Sequence, residues 1–219
     1  MGIAKYIDYT LLKATATAAD VRRMCQEARE YSFASICIQP VFVKLCAQLL
    51  AGSSVGVTTV IGFPFGAEKP EVKAYAAQQA VVDGATEVDM VMNIGEMLSG
   101  NAEAVKDDIV AVVNAVGAKA VVKVIIETAY LSPEQIIQAS NMVKEAGASF
   151  VKTSTGYAPS GAKVEDIRLI RQAVGPDFGI KAAGGISSYA VAKEMLEAGA
   201  TRFGASAALA ILQGELDSQ

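Results

Sequence analysis

A chain of 219 residues, 52% hydrophobic and 19% charged, has the material for one large core and the length of a single domain. Its formal charge of −4 disfavours nucleic acid or an anionic membrane as the main partner, because both select a basic face, whereas a small anionic substrate needs only a local positive site. There is no histidine, which excludes Ser-His and Cys-His catalysis and the usual zinc constellations and leaves Lys, Asp, Glu and Tyr for proton chemistry.

In chain order, Met1-Gly2-Ile3-Ala4-Lys5 has no signal-peptide pattern and runs directly into a first strand near residues 6–10. No apolar stretch is long enough to span a bilayer, so a cytoplasmic protein with no membrane partner is expected. A helix follows Thr15-Ala16-Thr17, with Val21, Met24, Cys25 and Ala28 spaced as one apolar stripe. A second strand over 34–39 meets Pro40 and gives way to a helix through Val41, Leu45 and Leu49. The β-branched run 55–61 predicts a third strand, and Gly62-Phe63-Pro64-Phe65-Gly66 forces a loop before a helix that opens at Pro70 and ends near Gly84.

The punctuation then repeats. Gly84, Gly117, Gly147 and Gly199 each close a helical stretch and precede a strand, and Gly175-Pro176 does so once more. Ser132, Pro133 and Gln135 form a helix start with a capping box. Further strands are expected near 86–92, 120–126, 149–153, 178–182 and 201–204, eight in all. Alternating strands and helices imply a parallel sheet, and eight such units favour an α/β protein folded as a closed (β/α)8 TIM barrel, one domain over residues 1–219, over an open doubly wound sheet. The cysteines, Cys25, Cys37 and Cys46, are odd in number, lack metal-ligand spacing and read as reduced thiols.

Four successive strands carry an ionisable residue that an apolar strand does not want. Asp89 sits in Glu87-Val88-Asp89-Met90-Val91-Met92-Asn93, Lys123 in Val121-Val122-Lys123-Val124-Ile125-Ile126-Glu127, Lys152 in the run that opens Ser149-Phe150-Val151-Lys152-Thr153-Ser154-Thr155-Gly156-Tyr157, and Lys181 in Phe178-Gly179-Ile180-Lys181-Ala182-Ala183-Gly184-Gly185. A buried ammonium needs a partner or must give up its proton, and two ammonium groups sharing one space dispose one of them to be the neutral, nucleophilic amine. A structural ion pair between Asp89 and Lys123 is the competing reading of that pair. Gly156, Gly184, Gly185 and the Gly204-Ala205-Ser206 turn would offer unhindered backbone N–H groups on neighbouring loops, an arrangement suited to phosphate.

These motifs together, EVDMVMNIG, KVIIETAYL at 123–131, VKTSTGY at 151–157, IKAAGGI at 180–186 and RFGAS at 202–206, resemble the deoxyribose-phosphate aldolase family of class I (Schiff-base) aldolases, from Ile7-Asp8-Tyr9-Thr10 near the start to Ser206. The resemblance implies reversible cleavage of 2-deoxy-D-ribose 5-phosphate to acetaldehyde and D-glyceraldehyde 3-phosphate, with no cofactor and no metal. It implies Lys152 as the Schiff-base lysine, Asp89 as the proton-shuttling carboxylate and Lys181 as the residue that perturbs Lys152. Asp8, Thr10, Cys37, Lys123, Thr155, Gly156, Gly184, Gly185, Gly204 and Ser206 are its expected substrate-binding positions, and a homodimer is an expected assembly. Departures are Tyr9 where the family commonly has histidine, Ala183 where it has serine, and a final segment, Gly214-Glu215-Leu216-Asp217-Ser218-Gln219, without the terminal tyrosine of many members. Another Schiff-base aldolase or transaldolase with a longer donor, or a catalytically silent sugar-phosphate-binding barrel, stays open beside this reading.

Overall fold

The computed structural model describes residues 2–218; Met1 and Gln219, the outermost residues of two segments read above, lie outside them. Among the described residues the first half runs β1 (Ile7–Leu11), α1 (Ala18–Tyr31), β2 (Ser35–Ile38), α2 (Val43–Leu49), β3 (Gly56–Ile61), α3 (Pro70–Val82), β4 (Glu87–Val91), α4 (Ile94–Leu98) and α5 (Ala102–Val116). The second half runs β5 (Val121–Ile125), α6 (Pro133–Glu145), β6 (Phe150–Lys152), α7 (Val164–Val174), β7 (Gly179–Ala183), α8 (Tyr189–Ala198), β8 (Arg202–Ala205) and α9 (Ala208–Leu216). All eight expected strands are present, and each pairs in parallel with its sequence neighbour, β8 closing on β1.

Local chemistry explains the boundaries. Thr17 and Ser132 each accept from the backbone three residues on and receive a side chain in return, the two capping boxes that start α1 and α6. Pro70 and Pro133 occupy first-turn positions, where a missing N–H costs nothing. The helix-closing glycines take positive φ, up to 115° at Gly199. One difference from the expectation lies at the start: a 3₁₀ turn, Ile3–Tyr6, precedes β1, and Ile3 N–H donates to the Glu215 carboxylate at 2.9 Å, tying α9 across the bottom of β1.

The apolar core is the shell between strands and helices. Ile7, Ile36, Ile38, Val57, Val88, Met90, Val122, Val124, Val151, Ile180, Ala182 and Phe203 alternate along the strands and pack outward against Val21, Val112, Ile136, Ile167 and Ile170 of the helices. The opposite face of each strand points into the barrel. Barrel interiors are ordinarily layers of branched apolar residues, whereas this one is occupied by Asp8, Ser35, Thr58, Glu87, Asp89, Lys123, Lys152, Lys181 and Arg202.

Candidate active site

Register brings these side chains together. Asp89 is the cross-strand partner of Lys123, Lys152 that of Lys181, and Lys181 that of Arg202. Asp89 accepts from three ammonium groups: Lys123 on Oδ1 at 2.9 Å, and Lys152 and Lys181 on Oδ2 at 2.8 and 2.7 Å. Asp8 pairs with Lys181 at 2.5 Å and with Arg202 at 2.7 Å, and Ser35 donates to it at 2.7 Å. Glu87 pairs with Lys123 and, at 3.3 Å, with Arg202. The structural pair and the catalytic constellation considered for Asp89 are thus one cluster.

Its electrostatics follow from burial against neighbours. Burial pushes the Asp89 carboxyl up, but Lys123, Lys152 and Lys181 outweigh it and hold the group well below the usual carboxylate range. Asp8 is likewise held low, burial being overcome by Lys181, Lys123 and Arg202. Lys181 and Arg202 move the other way: burial opposes their charge, yet Asp8 with Asp89, and Asp8 with Glu87, raise their proton affinity above the ordinary values. Three carboxylates, Asp8, Glu87 and Asp89, thus face four cations, Lys123, Lys152, Lys181 and Arg202. One cation in this buried space has no carboxylate of its own, and a set so unbalanced favours losing one proton.

Lys152, at the carboxyl end of β6, lines a cavity that Lys123, Lys181 and Arg202 do not line. The cavity measures about 480 Å³ and lies at the carboxyl ends of the strands, where barrels of this kind carry their sites. Lys152 shares its wall with Thr10, Thr155, Gly156, Gly184, Gly185, Gly204 and Ser206, seven of the expected substrate-binding positions. Asp8, Cys37 and Lys123 are fully buried and do not line it; Lys123 pairs with Asp89 and Asp8 with Lys181 from within the barrel. Burial raises the Cys37 thiol, so it serves as an uncharged filler. Gly204 lies inside β8 instead of on the following loop, and a Cβ there would stand 3.3 Å from Lys181 Cε, so its bareness makes room for that lysine. Gly185, at φ 81°, has open space where a Cβ would be, so its backbone is unhindered on the cavity side.

The two substituted positions keep their place at the rim. Tyr9 lines the cavity, donates its hydroxyl to Glu27 at 2.8 Å and packs its ring, tilted, 5.3 Å from that of Phe33; burial and the Glu27 bond push its pKa up to about 12. Ala183 lines the cavity, and its carbonyl accepts from Thr153 Oγ1. The residues that sequence reasoning left without a role are Glu87, Arg202, Ser35, Thr58 and Glu127. Period-two alternation from Asp89 places Glu87 on the same inward face, which was the available signal; Arg202 needed the β7–β8 register.

The residues from 3 to 214 match the DeoC/LacD family aldolase model. The chain is 53% identical over 218 residues to the deoxyribose-phosphate aldolase of Streptococcus gordonii, covering 100% of this chain and 99% of that protein. It is 54% identical over 215 residues to the deoxyribose-phosphate aldolase of Caldanaerobacter subterraneus, covering 97% and 93% respectively. The tetrameric deoxyribose phosphate aldolase of Aeropyrum pernix superposes with a TM-score of 0.91 at 35% identity, over 99% of this chain and 92% of that one. A barrel whose interior is charged at the very strands that carry these motifs, and whose likeness to such proteins runs end to end, belongs to the DeoC/LacD family of aldolases.

Proposed function

We propose that this protein is a class I aldolase that reversibly cleaves 2-deoxy-D-ribose 5-phosphate to acetaldehyde and D-glyceraldehyde 3-phosphate through a Schiff base on Lys152. The observation that carries the reading is the position of Lys152: it is the cluster's outlet to the cavity, seated on Asp89 beside a permanently charged Lys181. Attack on an aldehyde requires the free amine, and the excess of cations over carboxylates is the force that supplies it.

The Lys152 amine adds to C1 of the sugar, and loss of water leaves an iminium ion. Asp89 is a poor base while three ammonium groups donate to it. Converting Lys152 to an iminium removes two of its three N–H donors, so the carboxylate becomes more basic as the covalent bond forms. It then takes the C3 hydroxyl proton through a water molecule, the C2–C3 bond breaks into the iminium, and D-glyceraldehyde 3-phosphate leaves. Protonation of the enamine at C2 and hydrolysis release acetaldehyde. Backbone N–H groups of the Gly156, Gly185 and Ser206 loops hold the phosphate in this scheme. No cofactor or metal enters the scheme.

We further read the protein as a cytoplasmic homodimer. No helix among the described residues is long and apolar enough to cross a membrane, and Val72, Tyr75 and Val82 on α3 expose an apolar stripe suited to self-association. Sedimentation equilibrium tests the assembly. The activity is tested by incubating the enzyme with 2-deoxy-D-ribose 5-phosphate: equimolar acetaldehyde and D-glyceraldehyde 3-phosphate are expected, and Lys152→Ala should release neither. A wild-type enzyme that leaves the sugar intact overturns the reading.

A further inference from the structure

Glu127 is a buried carboxylate for which the scheme above has no task. It stands just past β5, 1% exposed, with its backbone in the left-handed region at φ 51° and ψ 68°, a costly conformation for a residue with a side chain. Its carboxylate accepts the Thr155 hydroxyl at 2.5 Å and the Thr155 N–H at 3.2 Å, and Thr155 Oγ1 in turn accepts Tyr157 N–H at 3.0 Å.

Thr155 is a wall between two spaces. On one side is the cavity that holds Lys152; on the other is a cavity of about 210 Å³ lined by Glu127, Tyr130, Tyr157 and Phe65. Tyr130, Tyr157 and Phe65 are themselves exposed, so the outer cavity lies at the solvent face. A hydroxyl and a carboxyl therefore stand in series between the Lys152 cavity and the outer one. Burial, against the Thr155 hydrogen bonds, holds the Glu127 carboxyl above the usual range, whereas Asp89 is held far below it. Of the two carboxyls, Glu127 is the one fitted to carry a proton.

We propose that Thr155 and Glu127 form a proton relay serving the carbinolamine at Lys152, an inference that rests on the Schiff-base reading. The carbinolamine hydroxyl leaves as water only when protonated. Thr155 Oγ1 gives its hydrogen to that oxygen as the C–O bond breaks and the nitrogen lone pair forms the C=N⁺ bond. Thr155 regains a hydrogen from the Glu127 carboxyl, which becomes a carboxylate and is reprotonated by solvent from the outer cavity. Imine hydrolysis runs the same chain in reverse, the attacking water losing its proton through Thr155 to Glu127.

The test is the rate at which acetaldehyde labels Lys152 at saturating cyanoborohydride, where imine formation limits the reaction. Glu127→Gln keeps the size and hydrogen-bonding shape but carries no transferable proton, and should label about 100-fold more slowly. Glu127→Gly suits the positive φ and leaves a carboxylate-sized hole; it should be slow, and added formate, unlike equal chloride, should speed it. Circular dichroism establishes that each variant is folded, and the glutamine result decides alone if the glycine variant is not. Glu127→Gln labelling within about twofold of wild type, or formate and chloride acting alike, overturns the relay. A wild-type enzyme that labels no lysine overturns the Schiff-base reading instead.

Discussion

Lys152 and Lys181 stand opposite each other on β6 and β7 and donate to the same oxygen, Asp89 Oδ2, at 2.8 and 2.7 Å. Lys181 also has Asp8 at 2.5 Å, so it keeps its proton across the working pH range, and its charge bears permanently on Lys152. Replacing it with leucine removes that charge and leaves Asp8 and Asp89 with fewer cations, both of which favour the protonated form of Lys152. The acidic limb of the pH–rate profile for Lys181→Leu should move up by roughly one unit or more, with activity near pH 7 down about 100-fold and recovering in base. A variant profile with the wild-type midpoint refutes the electrostatic role even if its rate is low.

Charge counting separates two other substitutions. Lys152→Ala leaves three cations facing three carboxylates, so it should cost little stability, within about 1 kcal/mol, while abolishing turnover. Asp89→Asn leaves four cations facing two carboxylates in a buried space where solvent screens them little. It should destabilise the fold by about 3–5 kcal/mol as well as inactivate it. Urea melts of the two variants beside the wild type check this; equal losses in both refute the imbalance.

The sequence carried the barrel because eight β-branched or apolar runs alternate with helical stretches, five of them closed by a positive-φ glycine, and every strand lies within two residues of its expected place. Asp89, Lys123, Lys152 and Lys181 were legible as misfits in apolar strands, and the resemblance supplied their roles. What the chain could not show in one dimension is partnership across register. The convergence of three lysines on one carboxylate depends on β4, β5, β6 and β7 being staggered so that residues up to 92 positions apart meet. For the same reason the Arg202 bridge to Asp8, 194 residues away, left no local trace. Lys73 on α3, which donates to Val91 O at 2.9 Å and pairs with Asp108 on α5 at 2.7 Å behind β4, is equally silent in sequence.

Asp8 gives a pH prediction whose sign is fixed. Its folded-state pKa lies well below the unfolded value of about 3.9, so it contributes stability above that pH and the contribution is lost as pH falls toward the folded value. Asp8→Asn should therefore be less stable than the wild type at pH 7, and the two unfolding free energies should converge as the pH is lowered below about 4. A difference that stays constant with pH shows that the Asp8 charge is not what stabilises the cluster.

The proposed phosphate site predicts a substrate difference. Unphosphorylated 2-deoxyribose should lose at least about 100-fold in kcat/KM, chiefly through KM, because the N–H groups around Gly156, Gly185 and Ser206 would lose the anion they face. Gly185→Ala, which strains φ 81° and puts a methyl into the space the glycine leaves open, should raise KM for the phosphorylated sugar and leave that for the plain sugar nearly unchanged. Equal kcat/KM for the two sugars in the wild type removes the phosphate from this account.

The most direct measurement is reduction of the enzyme with borohydride in the presence of acetaldehyde, followed by peptide mass spectrometry. The account predicts a single ethyl group per chain on the Lys152 side chain, absent from Lys152→Ala and present, at a reduced rate, in Lys181→Leu. Modification of Lys181 or Lys123 in place of Lys152, or no modification at all, would contradict it.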